Sequence, residues 1–160
     1  MNDRELVYLQ DHELDPDLHP FELHPQLQQD TILLGHFILC DLLLMNDATY
    51  PWFIMVPRRS DVGEIYHLSE QDQSQLIKES SILSTGLNDT YTAEKMNVAA
   101  LGNKVRQLHI HHVVRFSNDP AWPEPVWGKV PTLPYSAEQV GEVRSRVNGL
   151  LKDEDDYDPV

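Results

Sequence analysis

Two apolar runs separated by a short polar turn limit the fold more than any other feature of this chain. Phe37 to Met45 and Trp52 to Val56 are rich in strand-forming residues, with Asn46-Asp47-Ala48-Thr49 between them. The second run stops at Pro57, whose nitrogen has no hydrogen to give to a ladder. The pair reads as an antiparallel hairpin with a polar loop. Ser69 then opens a capping box with Asp72, and the helix that follows has apolar positions at Leu76, Ile77, Ile82, Leu83 and Leu87. Lys95 to Ala100 returns as a strand, Leu101-Gly102-Asn103-Lys104 turns, and Val105 to Val114 reads as another strand. A second capping box, Ser136 with Gln139, opens a last helix lined by Val140, Val143, Val147, Leu150 and Leu151. The expected class is α+β, an antiparallel sheet with helices packed on it.

The remaining segments carry weaker signals. Residues 26–34 are expected to form a short helix ending near Gly35, and Asp153 to Asp158 to form a frayed acidic tail. Residues 11–25 contain three prolines, including the steps His19-Pro20 and His24-Pro25, which favour extended or turn backbone. His12, His19 and His24 stand near carboxylates and are candidate metal ligands, although their spacing matches no known site.

A length of 160 residues suits one domain, which would bury roughly 70% of its unfolded surface. The expected organisation is an acidic, Pro- and His-containing extension over 1–30, a core over 31–116, and a C-terminal extension with a helix over 117–160. Asp and Glu total 26 against 12 Lys and Arg, a net charge of −14. Such a balance offers no basic surface for phosphate backbones, so a general nucleic-acid binder is not expected. Residues 1–30 hold eight acids and one base, and 117–160 hold nine and four, whereas 31–116 hold nine and seven. The near-neutral middle is where an anionic ligand is best tolerated, and the ends read as solvated faces. No apolar run approaches the roughly 20 residues a bilayer requires, and Met1-Asn2-Asp3-Arg4-Glu5 lacks the basic start and apolar stretch expected of a secretion signal. A single Cys cannot form an internal disulfide and fits a reducing cytoplasm. The expectation is a soluble, cytoplasmic protein with no membrane partner.

The segment richest in chemistry is Gly102 to Arg115. Side chains on a strand alternate, so Gln107, His109 and His111 share one face. Leu108, Ile110 and His112 share the other, with Leu108 and Ile110 expected in the core. Gly102 precedes them in a turn whose N–H groups can receive an anion.

This pattern resembles the signature of the histidine triad family, His-φ-His-φ-His-φ-φ, with Gln107 in the place of the first histidine. The order Asn97, Gly102-Asn103-Lys104, Gln107-Leu108-His109-Ile110-His111 resembles the family's Asn…Gly-Gln-Ser/Thr…triad arrangement. The hairpin, the Val56-Pro57-Arg58-Arg59 exit and the Leu68-Ser69 helix start match its layout, so residues 30–116 are covered. The segment Asp119 to Gly128 resembles a bacterial branch of the family. Paired histidines on a strand also ligate metals in cupin barrels, but a cupin needs an acid soon after the second histidine, and residues 112–115 have none.

The resemblance implies a nucleotide hydrolase or transferase that cleaves a P–O or P–N bond at a nucleoside α-phosphate. His109 would be the nucleophile that forms a nucleotidyl-histidine, and imidazole suits this because much of it is unprotonated near pH 7. His111 would contact a phosphate oxygen. Gln107 can offer an amide donor but cannot shuttle a proton. In the galactose-1-phosphate uridylyltransferase branch, Gln replaces the last triad histidine rather than the first. Asn46 resembles a ribose-contacting residue, and Asn97, Gly102, Asn103 and Lys104 fall where the family contacts phosphate. Trp52, Trp122 and Trp127 read as packing residues. No cofactor is implied, and a homodimer sharing one continuous sheet is expected by resemblance. Two rival classes are a nucleotide-binding regulatory protein with little catalysis, and a metal-binding protein using His109, His111 and the N-terminal histidines.

Overall fold

The computed structural model describes residues 20–160. A six-residue helix, α1 (Pro25–Asp30), runs directly into strand β1 (Thr31–Phe37). β2 (Cys40–Met45), β3 (Trp52–Pro57), α2 (Glu70–Tyr91), β4 (Lys95–Ala100), β5 (Ile110–Arg115), α3 (Ala137–Leu150) and β6 (Tyr157–Pro159) follow. The strands form one six-stranded sheet in the order β4-β5-β3-β2-β1-β6, and every pairing is antiparallel. The α+β expectation holds.

The sheet is buried on both faces, which explains why its central strands are apolar at nearly every position. Leu42, Leu44, Phe53, Met55, Ile110 and Val114 face the helices and meet Leu76, Leu83 and Leu87 of α2 and Val143 and Val147 of α3. Gly86 lets the helices approach, because a Cβ there would strike the Leu150 side chain. Leu43, Trp52, Ile54, Val56 and Val113 face the other way, where Leu27, Ala121 and Val126 cover them. Residues 21–27 and the 121–130 part of the C-terminal extension therefore roof the second face, while α3 packs on the first. Among the described residues, no helix is long and apolar enough to cross a membrane.

Four local expectations need correction. The helix expected over 26–34 ends at Asp30, and residues 31–34 are strand. The run Phe37 to Met45 is two strands, because the chain turns at Ile38 and Leu39. No Gly, Pro or Asn marks this turn. Its carbonyls at Phe37 and Ile38 accept from Arg58 Nη2, both at 2.7 Å, and the Leu39 and Cys40 N–H groups donate to Glu79 at 2.7 and 3.1 Å. Distant charged side chains thus do the work of a turn sequence.

The third correction is at the C-terminus, where the tail is not frayed. Tyr157 pairs with Phe37, its hydroxyl donates to the Leu34 carbonyl, and Lys78 bonds Asp156. Gly35 admits this strand, since a Cβ would collide with Tyr157 and the Asp158 carbonyl. Lastly, the strand expected from Val105 begins only at Ile110. Ile110 pairs with Met55 on one side and Ala100 on the other, and Leu108 N–H bonds Val62 O instead.

The helix starts follow the sequence with one change. Ser136 and Gln139 form the full capping box, whereas Ser69 caps Asp72 N–H and the Asp72 carboxylate turns to Arg59 at 2.7 and 2.9 Å. Ile77, expected in the apolar stripe of α2, is exposed.

Candidate functional site

His109 is the last residue before β5, and His111 is the second residue within it. Both are buried, at 7% and 5% exposure, with ring centroids 4.9 Å apart. Their ring nitrogens are fixed in opposite senses. His109 Nδ1 lies 2.7 Å from the Gln107 carbonyl, which can only accept, so Nδ1 carries a proton and, in the neutral ring, Nε2 keeps its lone pair. His111 Nδ1 accepts from the Trp52 indole N–H at 2.9 Å, so its proton sits on Nε2. A lone pair and an N–H donor are therefore presented by adjacent rings.

Trp52 and Trp127 enclose His111, with ring centroids 5.7 and 5.1 Å away, and pack edge-on against each other at 5.5 Å. Burial, and then the nearness of His109 and His112, lowers the His111 pKa to about 3. It is neutral at pH 7. Trp52 was expected only to pack; the signal that it does more is that a buried indole N–H needs an acceptor.

His112 points away from the triad face as expected, and towards the helix that carries Ser80. It is fully buried on an interior strand rather than at a sheet edge, with Nδ1 on the Ile110 carbonyl at 3.1 Å and Nε2 on Ser80 Oγ at 2.7 Å.

Gln107 makes contacts that its sequence position does not suggest. Its Oε1 accepts from His24 N–H and its Nε2 donates to the Glu22 carbonyl, both at 2.8 Å. The amide is thus engaged at both ends with the main chain of residues 22–24, which brings Phe21 and Leu23 against the second face of the sheet. His24 uses its own Nδ1 to cap α1 at Gln26 N–H.

The other expected contacts divide. Gly102, with φ of +134°, and the exposed Asn103 and Lys104 lie at the same end of the sheet as His109, just past the Ala100–Ile110 pair. Asn97 shares the triad face but accepts from Arg115 Nη1 at 2.6 Å. Arg115, 1% exposed, also grips Asp119 at 2.7 and 3.0 Å and the Glu124 carbonyl at 2.8 Å, folding residues 116–124 back onto the sheet. Burial alone would raise the Asp119 carboxyl, but Arg115 and the Phe116 and Ala121 N–H groups hold it below its ordinary range. Asn46 lies two residues past the level of Leu44, Phe53 and His112, on the side away from His109. Its Oδ1 accepts from Tyr135 N–H. His12 and His19 fall outside the described residues, and among the described residues no group of three or more His, Cys, Asp or Glu could hold a metal ion.

Comparison with known proteins places the fold. A family model described as the HIT domain matches residues 26–118, more than half of the chain. The chain belongs to the HIT, or histidine triad, family. Solved HIT structures agree. A histidine triad protein from Marinobacter aquaeolei VT8 is 53% identical, with 84% of this chain and 98% of that chain covered and a TM-score of 0.82. Histidine triad proteins from Bradyrhizobium japonicum and Sinorhizobium meliloti 1021 are 42% and 41% identical. Each covers 82% of this chain, with 98% and 97% of their own chains covered and a TM-score of 0.80. The covered share reaches beyond residues 26–118, so this HIT protein's likeness to them extends into its flanking segments. No curated protein matches the chain.

Proposed function

We propose that this HIT protein is a nucleotide hydrolase or transferase that cleaves a bond to a nucleoside α-phosphate through a nucleotidyl-His109 intermediate. The observation that carries the reading is the opposed pair of tautomers. His109 offers an Nε2 lone pair while its Nδ1–H rests on the Gln107 carbonyl, and the His111 ring beside it offers an N–H. A lone pair can attack phosphorus, and a neutral N–H can steady a non-bridging oxygen as charge grows there. Gln107 takes the first triad position in this reading, and Gly102, Asn103 and Lys104 are the candidate phosphate contacts.

The chain would act as a homodimer. β4 is the outer strand at the end of the sheet nearest His109, and Val98 on it is 51% exposed. A two-fold partner would continue the sheet there.

A second reading, a nucleotide-binding protein with little turnover, is favoured by one observation: the Gln107 amide is already bonded at both ends. Mass spectrometry of protein mixed briefly with an acyl-adenylate separates the two. The enzyme reading expects an adenylyl adduct that disappears in His109→Ala; binding without an adduct favours the second reading.

A further inference from the structure

The three triad positions have almost no proton to give. To act as nucleophile His109 must carry its lone pair on Nε2, and the proton on Nδ1 is committed to the Gln107 carbonyl. His111 commits Nδ1 to the Trp52 indole, which can only donate. A second proton could reach His111 only by breaking that bond, in a buried pocket packed by two tryptophans. Gln107 has an amide that exchanges no proton near neutral pH, and both its ends are already bonded to residues 22 and 24. His111 can hydrogen-bond to a developing negative charge without ever parting with its proton.

We propose that the site is selective for nucleotides whose leaving group departs from the α-phosphorus as a stable oxyanion, such as a carboxylate, a phosphate or an acidic phenolate, and that it discriminates against amine leaving groups. The inference rests on the reading of His109 as the nucleophile. In the first step the Nε2 lone pair forms an N–P bond and the P–O bond breaks, its electron pair leaving on oxygen. The leaving group takes no proton. The ring becomes a nucleotidyl-imidazolium whose Nδ1–H still points at the Gln107 carbonyl, which eases the new positive charge. Water then attacks phosphorus, the N–P pair returns to Nε2, and one water proton passes to solvent with release of the nucleoside monophosphate. A P–N substrate is slowed at the first step, because nitrogen must be protonated before it can leave and neither triad neighbour of His109 supplies that proton. The low His111 pKa of about 3, set first by burial, agrees with this inventory.

The test uses the unmodified protein with adenosine 5′-aryl phosphates of graded leaving-group pKa and with adenosine 5′-phosphoramidate. The expected result is a kcat/KM that falls steadily as leaving-group pKa rises. The phosphoramidate should lag the best aryl ester by at least about 10²-fold, the lower end of what a missing general acid costs. Parity between phosphoramidate and ester, together with a His109 adduct from the ester, overturns this inference and leaves the nucleophile in place. No adduct from either substrate removes both. Trp52→Phe probes the second half of the argument. It should release the His111 tautomer, seen by nitrogen NMR, and narrow the gap between the two substrates. An unchanged gap in a folded Trp52→Phe variant overturns the role given to Trp52.

Discussion

The side chain of Gln107 and the main chain of His24, 83 positions apart, are joined by a 2.8 Å hydrogen bond, and the same amide also donates to the Glu22 carbonyl. One residue thereby ties the approach to His109 to the segment that enters the sheet. Gln107→Ala should lose both bonds, costing about 1–2 kcal/mol at this partly exposed position. The distinguishing readout is hydrogen exchange at the His24 amide, which should rise sharply while the amides of β3 and β5 stay protected. Unchanged protection at His24 would contradict the clamp.

Gln107→His should act on chemistry as well. It restores a group that exchanges a proton near neutral pH, so turnover of a poor leaving group should rise by about 10-fold, and a good one should barely respond. Steady-state kinetics on the matched pair decides it, and equal acceleration of both would refute this account of the glutamine.

His109→Ala should abolish the covalent adduct and lower turnover by about 10³-fold or more, because the two-step route closes. Nucleotide binding should survive, since the other donors remain. Near-normal turnover in the variant would defeat the mechanism.

Acid should destabilise the fold through two histidines. Burial lowers His111 to about 3 and His112 to about 4, the Ile110 carbonyl partly opposing the latter. Unfolded, both return to about 6.5. The unfolded chain therefore binds more protons between these values, so the stability contributed by keeping both rings neutral is complete above about pH 6.5 and is lost as pH falls towards 4 and 3. Each histidine adds at most about 1.4 kcal/mol per pH unit to the slope. Urea unfolding at pH 7 and pH 5 measures it, and equal midpoints would count against the buried neutral pair.

The Glu79 carboxylate holds two buried N–H groups, those of Leu39 and Cys40. Glu79→Ala should cost about 2–5 kcal/mol by leaving both unpaired. Glu79→Gln keeps an acceptor and should cost less, which a paired unfolding experiment resolves.

Much of this was legible in the sequence where local chemistry decides. β4, both helix starts and the shared face of His109 and His111 follow from alternation, caps and turn residues. What stayed hidden was long-range. The Ile38–Leu39 turn depends on Arg58 and Glu79 rather than on its own residues. β6 depends on a gap at Gly35, and an acidic run gives no sign that Tyr157 will find it. In the candidate site, Asn46 and Asn97 look like ligand contacts by position, yet Tyr135 and Arg115 have claimed their side-chain oxygens. Sequence order carries no information about such competition.

The short strand β6 also governs how copies of this chain can add to one another. The sheet has two borders, and on one of them lies a three-residue strand that carries Asp158 and Pro159. A border so brief, charged and interrupted is a poor template for further strands. Among the described residues, only the β4 border, six residues long, remains open to a neighbour. The described sheet is therefore monovalent with respect to extension. Two copies joined through β4 would expose only β6 borders, so growth would stop at the pair and not proceed to a fibre. Val98→Asp, on the open border, should hold the protein at its 18.4 kDa monomer mass in light scattering, where the parent chain should scatter as twice that if the proposed pair forms.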